Sequence, residues 1–462
     1  MSRTVSPESE PKSAAEGHNL LRFPLIQAFV RSPWYPGIIQ WPTLLVFMLI
    51  MFQLLLGPKA AHDNFGTALT WVLWWPLIPI LFLFLGRFWC AICPFATLND
   101  WVQKFVGNRK PVPMFLKKYG IWIIDALFIF ITWSDHIWGV VENPVGSGLL
   151  MLMLTTGVIF SGAFWERRTF CRHLCFLGGL SGNYARAGAL SLKGTPDICA
   201  TCKSASCFKG TEKAEGCPLF EFPKTMDSSA NCNLCGNCVK SCPNGSIQLE
   251  LRTPTKELWF VRRPKLEESF LAAVIMGIVF VQNITMLEVW GSILAWLERA
   301  VGTKSYYVTF TITFAIAVLV PVALLALASW AAKRASGEST RQNFARFGYA
   351  IIALDMAGHI AHNLFHLLAE GKSVFYTGLA WLGHAVGHDA SPALVSDATI
   401  QVLQFGLLGL GFLGSIYAAY RIAKSHAKEG RVMGTFMPYA ALMVVLTVMN
   451  VMLFVLPMKM RM

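Results

Sequence analysis

Long apolar runs recur along this chain at the spacing of membrane spans. Nine stretches, residues 38–57, 67–86, 119–138, 146–165, 269–290, 307–331, 346–368, 398–420 and 435–456, are dominated by apolar side chains. Each is close to the roughly 20 residues that an α-helix needs to cross a hydrocarbon core. The pattern breaks between 166 and 268, where polar residues and cysteines take over. Residues 1–37 open in a polar tail rich in Ser, Glu and Pro, read as disordered, with no cleavable signal peptide before the first span. The predicted fold is a mainly α-helical polytopic membrane protein of about nine spans carrying one hydrophilic insert.

Composition agrees: 55% of the residues are hydrophobic and 14% charged, against about 25% charged in soluble domains. The charges also predict an orientation. The segments 1–37, 87–118, 166–268, 332–345 and 421–434, with Arg346 at their edge, hold every Lys and Arg except Lys59, Arg299, Lys304, Lys372, Lys459 and Arg461. The positive-inside rule puts those segments and the N-terminus in the cytoplasm and the C-terminus outside. The long segment counts least toward this, and the short loops agree with it independently. The net charge of +13 is therefore a topological signal. No nucleic-acid-binding motif accompanies it.

The chemistry lies in twelve cysteines. Cys232, Cys235, Cys238 and Cys242 are spaced x2, x2, x3 and are followed by Pro243, the spacing of bacterial ferredoxins. A partner run, Cys199, Cys202, Cys207 and the more distant Cys217 before Pro218, lies upstream. In such runs the fourth cysteine ligates the other cluster. The expected sets are thus Cys199, Cys202, Cys207 and Cys242 for one 4Fe–4S cluster, and Cys217, Cys232, Cys235 and Cys238 for the other. Disulfides or structural zinc are the competing reading. Two Cys-x2-Cys pairs alone would suit zinc; a full run with its proline and a degenerate copy favours clusters. The insert, residues 191–263, is expected to be a cytoplasmic, two-cluster ferredoxin-like α+β unit, and thiolate ligands suit a reducing compartment.

The other four cysteines form a repeat. Arg87-Phe88-Trp89-Cys90 leads to Cys93-Pro94, and Arg168-Thr169-Phe170-Cys171 leads to Cys175. Each pair ends a hairpin of two spans, so residues 38–190 read as a parallel duplication. Three readings stay open for Cys90, Cys93, Cys171 and Cys175: inert buried thiols, a disulfide pair or thiol relay, or a metal or iron–sulfur centre shared by the two copies. Arg87, Arg167, Arg168 and Arg172 would stabilise thiolates there.

Two Arg-x-aromatic-Cys hairpins followed by a two-cluster insert resemble the polyferredoxin family of membrane quinol dehydrogenases. That family includes the membrane subunit of periplasmic nitrate reductase, the nitrous-oxide reductase regulator and ferredoxin-like proteins of cytochrome oxidase assembly. The resemblance covers roughly residues 38–263. Its usual Cys-x3-Cys-Pro is one residue shorter at Cys90, Cys93 and Pro94, and Phe176 stands in place of the second proline. The flavin-binding domain of the nitrous-oxide regulator has no counterpart here. The resemblance implies electron exchange with the quinone pool.

Residues 264–462 contain no cysteine. Asp355, His359, His362 and His366 fall within about 60° on one helix face, and His384 and His388 follow in the next loop. An ionisable ladder inside a span is a functional-site candidate. Haem b, another His-bound iron, copper or zinc, a quinol or proton site, and packed structural histidines all stay open.

The sequence thus predicts a protein of the bacterial inner membrane that carries electrons, a quinol dehydrogenase-like oxidoreductase component. It would hold two 4Fe–4S clusters, with a third centre at the hairpins as a further candidate. Electrons would pass between the quinone/quinol pool or a cytoplasmic reductant and an extracytoplasmic redox partner. A redox assembly or regulatory factor for a metalloenzyme, and a transporter with a ferredoxin sensor, are the alternatives. No nucleic-acid partner is expected.

Overall fold

The computed structural model describes residues 19–384 and 391–456. The first 18 residues of the expected tail, the final six residues and His388 lie outside them. Among the described residues eight helices are long and apolar enough to cross a membrane, against nine expected. They include α1 (Gly37–Leu56) and a run of helical segments over Phe65–Val106, broken at Gly86 and Cys93, that contains α2 (Trp75–Leu85) and α3 (Pro94–Val106). The ninth expected span falls in α4 (Met114–Trp138), a 25-residue helix that is not among the eight. It is interrupted by Asp125 and ends in Ser134-Asp135-His136, which dilutes its apolar character without shortening it.

The first copy of the repeat turns at Gly86, whose φ of 56° lies in the left-handed region. Glycine is the residue that adopts this at a helix end without a Cβ clash. The turn leads through Trp89–Ile92 into α3. The second copy follows α4 with α5 (Pro144–Phe164), the turn α6 (Thr169–His173) and α7 (Phe176–Ala185). Buried Leu44, Phe47, Ile50 and Leu54 of α1 pack with Met151 and Val158 of α5, Phe95 of α3 and Phe170 of α6. The two copies therefore share one core.

The hydrophilic insert is bracketed by β1 (Leu190–Gly194). Inside it β2 (Gly210–Thr211) pairs antiparallel with β3 (Ala214–Glu215). The closing strand β4 (Ile247–Leu251) pairs antiparallel with β1, from Leu190 opposite Leu251 to Gly194 opposite Ile247. The stretch expected to be a tail departs from that expectation where it is described. Pro24–Arg31 is helical, and Leu21, Val30 and Tyr35 are buried against Leu192, Leu234 and Val239 of the insert. Its apolar residues recur at helical spacing, and their burial offsets the entropy of ordering the segment. The Tyr35 hydroxyl donates to the Leu234 carbonyl at 2.6 Å.

The C-terminal unit is a bundle of α8 (Leu266–Ile284), α9 (Tyr306–Ser336), α10 (Thr340–Ala369), α11 (Asp397–His426) and α12 (Val432–Val455). α8 and α10 are buried along most of their length. The flanking helices leave Leu319, Leu327, Leu410, Leu413, Val444 and Val448 exposed. Apolar faces of that size are solvated by lipid. α10 starts with a reciprocal cap in which Ser339 and Gln342 satisfy each other's backbone N–H groups.

Candidate functional site

Three groups of four cysteines occur, and the structure gathers each. Cys90, Cys93, Cys171 and Cys175, from both copies of the repeat, line a single cavity of about 70 Å³. Trp71, Trp74, Trp75 and Trp89 supply an aromatic wall. The thiols are close enough for each to oppose the ionisation of its neighbours. Gly178 makes the approach possible: a Cβ there would stand 2.6 Å from the Cys171 carbonyl oxygen.

Two buried arginines brace this cavity. Arg87 donates from Nε to Cys90 Sγ at 3.5 Å and from a terminal nitrogen to the Ala230 carbonyl. Arg168 donates to the Cys90 carbonyl at 2.9 Å and grips Asp100 with Nε at 3.1 Å and a terminal nitrogen at 2.6 Å. Arg168 holds a left-handed φ of 50°, an unfavourable conformation for a side chain with a Cβ. Its N–H is fixed there by Asn99 Oδ1 at 3.0 Å. Burial opposes the charge on Arg168, but Asp100 outweighs burial and the guanidinium is held firmly protonated. Burial likewise pushes the Cys171 thiol up to about 12, against the pull of Arg168. A thiolate here therefore needs a bound cationic centre as its counter-charge.

In the insert, Cys199 and Cys242 both contact the Ser246 hydroxyl, at 3.4 and 3.3 Å. Cys207 is in electrostatic contact with Cys242, Cys199 and Cys202, and burial pushes its thiol up to about 11. Cys217, Cys232, Cys235 and Cys238 line a second, smaller cavity. Burial pushes Cys235 up to about 11. Cys242 thus lies with Cys199 and Cys207, and Cys217 with Cys232, Cys235 and Cys238. Gly194 is the close-approach residue here: a Cβ would stand 2.7 Å from Cys199 Sγ.

The groups form a series. Cys238 neighbours Cys207 of the first group. Cys235 packs on Ala91 and Ile92 of the hairpin, and Arg168 lies within electrostatic reach of both Cys235 and Cys171. Among the described residues no three His, Cys, Asp or Glu converge closely enough to hold one metal ion. Sets of four cysteines, those of the insert at ferredoxin spacing, fit iron–sulfur cores by their donor chemistry.

The histidine ladder faces the bundle interior. Asp355, His359, His362 and His366 are buried to 4% exposure or less. His359 Nδ1 meets the Tyr184 hydroxyl at 3.1 Å, His362 Nδ1 meets Asn283 Oδ1 at 3.1 Å, and His366 Nδ1 meets Glu370 at 3.4 Å. The side chains are stacked along the helix and do not close round one point. His384 does not join them. It is exposed on the turn after helix Lys372–Trp381, where Gly383 carries the chain outward. Tyr184, Asn283 and Glu370 were not legible as partners, because each reaches the ladder through tertiary packing or the next helical turn.

A family model described as a 4Fe-4S binding domain matches residues 67–113 and again 147–193. Each match covers the second helix of one hairpin, the Cys pair that follows it and the segment beyond, and together they contain Cys90, Cys93, Cys171 and Cys175. The second ends before Cys199. The duplicated domain supports iron–sulfur clusters and is consistent with a ferredoxin-type iron–sulfur protein. No curated protein and no solved structure matches the chain.

Proposed function

We propose that this is a membrane-bound electron-transfer protein with three 4Fe–4S centres in series. The ligand sets are Cys199, Cys202, Cys207 and Cys242; then Cys217, Cys232, Cys235 and Cys238; then Cys90, Cys93, Cys171 and Cys175. The observation that carries the reading is the cavity shared by both hairpin pairs, with Cys235 of the insert packed on Ala91 and Ile92 between Cys90 and Cys93. Bound there, the clusters supply one-electron chemistry. The chain's residues hold the thiolates, and Arg87 and Arg168 offset their charge. The tryptophan wall keeps water from the innermost set.

The topology follows from parity. Both hairpin pairs line one cavity, so the chain between Cys93 and Cys171 must start and end on the same side. If α5 crosses the bilayer, α4 must cross it too. At 1.5 Å per residue its 25 residues reach about 37 Å, enough for a hydrocarbon core of about 30 Å. The short basic loops put the insert on the cytoplasmic side of an inner membrane. Electrons would pass between a cytoplasmic reductant or the quinol pool and an extracytoplasmic acceptor.

The test is stepwise reduction of the anaerobically purified chain, followed by EPR. Three distinguishable cluster signals are expected, and C90S with C171S should remove one of them. Retention of all signals in that double variant would overturn the assignment of the hairpin centre.

A further inference from the structure

The ladder on α10 leads away from the cysteine cavity toward one face of the molecule only. It begins at Asp355, whose carboxyl faces the Tyr184 hydroxyl. That hydroxyl also meets His359 Nδ1 at 3.1 Å. The His359 ring lies 6.2 Å from Trp75, a residue of the cysteine cavity wall. Next come His362 and His366, with ring centroids 5.2 Å apart. They line a second cavity of about 70 Å³ that shares Trp71, Trp75 and Phe176 with the first. A smaller cavity of about 20 Å³ then joins His366 and Glu370 to the exposed Glu142. From Asp355 to Glu370 the helix rises about 22 Å.

Buried polar atoms along this route lack protein partners. They are Nε2 of His359, Oδ1 of Asn363 and Oε1 of Gln282. Such atoms call for water, and the cavities have room: a water takes about 30 Å³, and a site needs about 10–15 Å³ to admit one. Asp135 stands at the side of the larger cavity. α8, α11 and α12 present the neutral Asn283, Gln404 and Asn450 to α10.

The opposite direction is closed. Ile351 and Ile352 are fully buried between Asp355 and Tyr349. The Tyr349 hydroxyl is engaged by Glu268 at 2.6 Å, and Glu268 is paired with Arg186. The polar route is therefore a half-channel.

We propose that this half-channel conducts protons between the Glu370 face and the Asp355–Tyr184–His359 group, compensating the charge of the hairpin centre when it is reduced. This rests on the hairpin centre of the proposed function. When a one-electron reductant acting through the insert adds one electron to that centre, one proton enters from water at Glu370. At each hop one N–H or O–H bond breaks and one forms on the neighbouring group. The Asp355–Tyr184–His359 group ends one proton richer. Imidazoles suit the relay because each can accept at one ring nitrogen and release from the other.

The experiment uses the full chain in phosphatidylcholine vesicles with the pH indicator pyranine trapped inside. Dithionite outside reaches only molecules whose insert faces out. Reduction should alkalinise the interior by about one proton per hairpin centre reduced, because the Glu370 face is inside. E370Q at the mouth should slow this at least about tenfold, and D355N should abolish it. Y349F, beyond the closed end, should change neither amplitude nor rate. EPR signals of all centres should persist in every variant. If D355N does not assemble, E370Q and Gln282→Leu carry the test. Interior pH changes identical in wild type and these variants, with cluster signals intact, would overturn the half-channel alone. A wild-type chain without a hairpin signal would overturn the proposed function and this coupling with it.

Discussion

Arg168→Met tests how far the hairpin site depends on one buried guanidinium. The substitution keeps an unbranched, flexible stem, shorter than that of arginine, and removes the charge. Asp100 then loses its two-pronged partner, and the Cys90 carbonyl loses a donor at 2.9 Å. Breaking a buried ion pair from one side costs about 3–5 kcal/mol. The Asp100 side chain is 37% exposed, so water recovers part of this, and about 2 kcal/mol is the better figure for the pair. The Cys90 carbonyl, left with only the 3.5 Å donor Asn233, adds about 1 kcal/mol. A total near 3 kcal/mol should appear as a lowered midpoint of unfolding in detergent, followed by circular dichroism. The same variant should lose most of the hairpin EPR signal and keep the insert signals. R168M combined with D100N should recover part of the stability, because the uncompensated carboxylate is gone. An R168M protein with an unchanged midpoint and an intact hairpin signal would refute this reasoning.

Gly178→Ala should damage the same centre by a different route. Its Cβ, 2.6 Å from the Cys171 carbonyl, forces a backbone shift costing about 1–3 kcal/mol, read as loss of the hairpin signal with the insert signals retained. Gly194→Ala should do the reverse, since its Cβ falls 2.7 Å from Cys199 Sγ: the first insert signal is lost and the hairpin signal stays. Cys242→Ser should remove that same first signal although Cys242 sits in the downstream run, because its sulfur lies with Cys199 at Ser246. Selective loss of the second insert signal would show the crossover to be wrong. Tyr35→Phe leaves the Leu234 carbonyl without its 2.6 Å donor and should destabilise the insert by about 1–3 kcal/mol, measured by the temperature at which its EPR signals decay.

The long helices were legible in the sequence because a span is a local property, readable from any window of about 20 residues. The thiol groups were legible because Cys spacing limits which sulfurs can share a core. The repeated Arg-x-aromatic-Cys pattern pointed to both halves of the hairpin cavity before the fold brought them together. Other features are tertiary and leave no local trace. Asp100 reads as an ordinary acidic residue of the helix after the first Cys pair until the fold sets it against Arg168. Tyr184 lies 175 residues from His359. The order of residues 19–37 was missed because the polar stretch before them set the reading of the whole tail, and only the insert surface gives their apolar positions something to bury against. α4 shows the limit of hydropathy: Asp125 and Asp135 dilute a 25-residue helix that would have to cross if α5 does.

The central claim is tested most directly by iron and acid-labile sulfide in the anaerobically purified full chain. Three 4Fe–4S centres give about 12 of each per chain. About 8 of each, with Cys90, Cys93, Cys171 and Cys175 all open to alkylation in the folded protein, would contradict it.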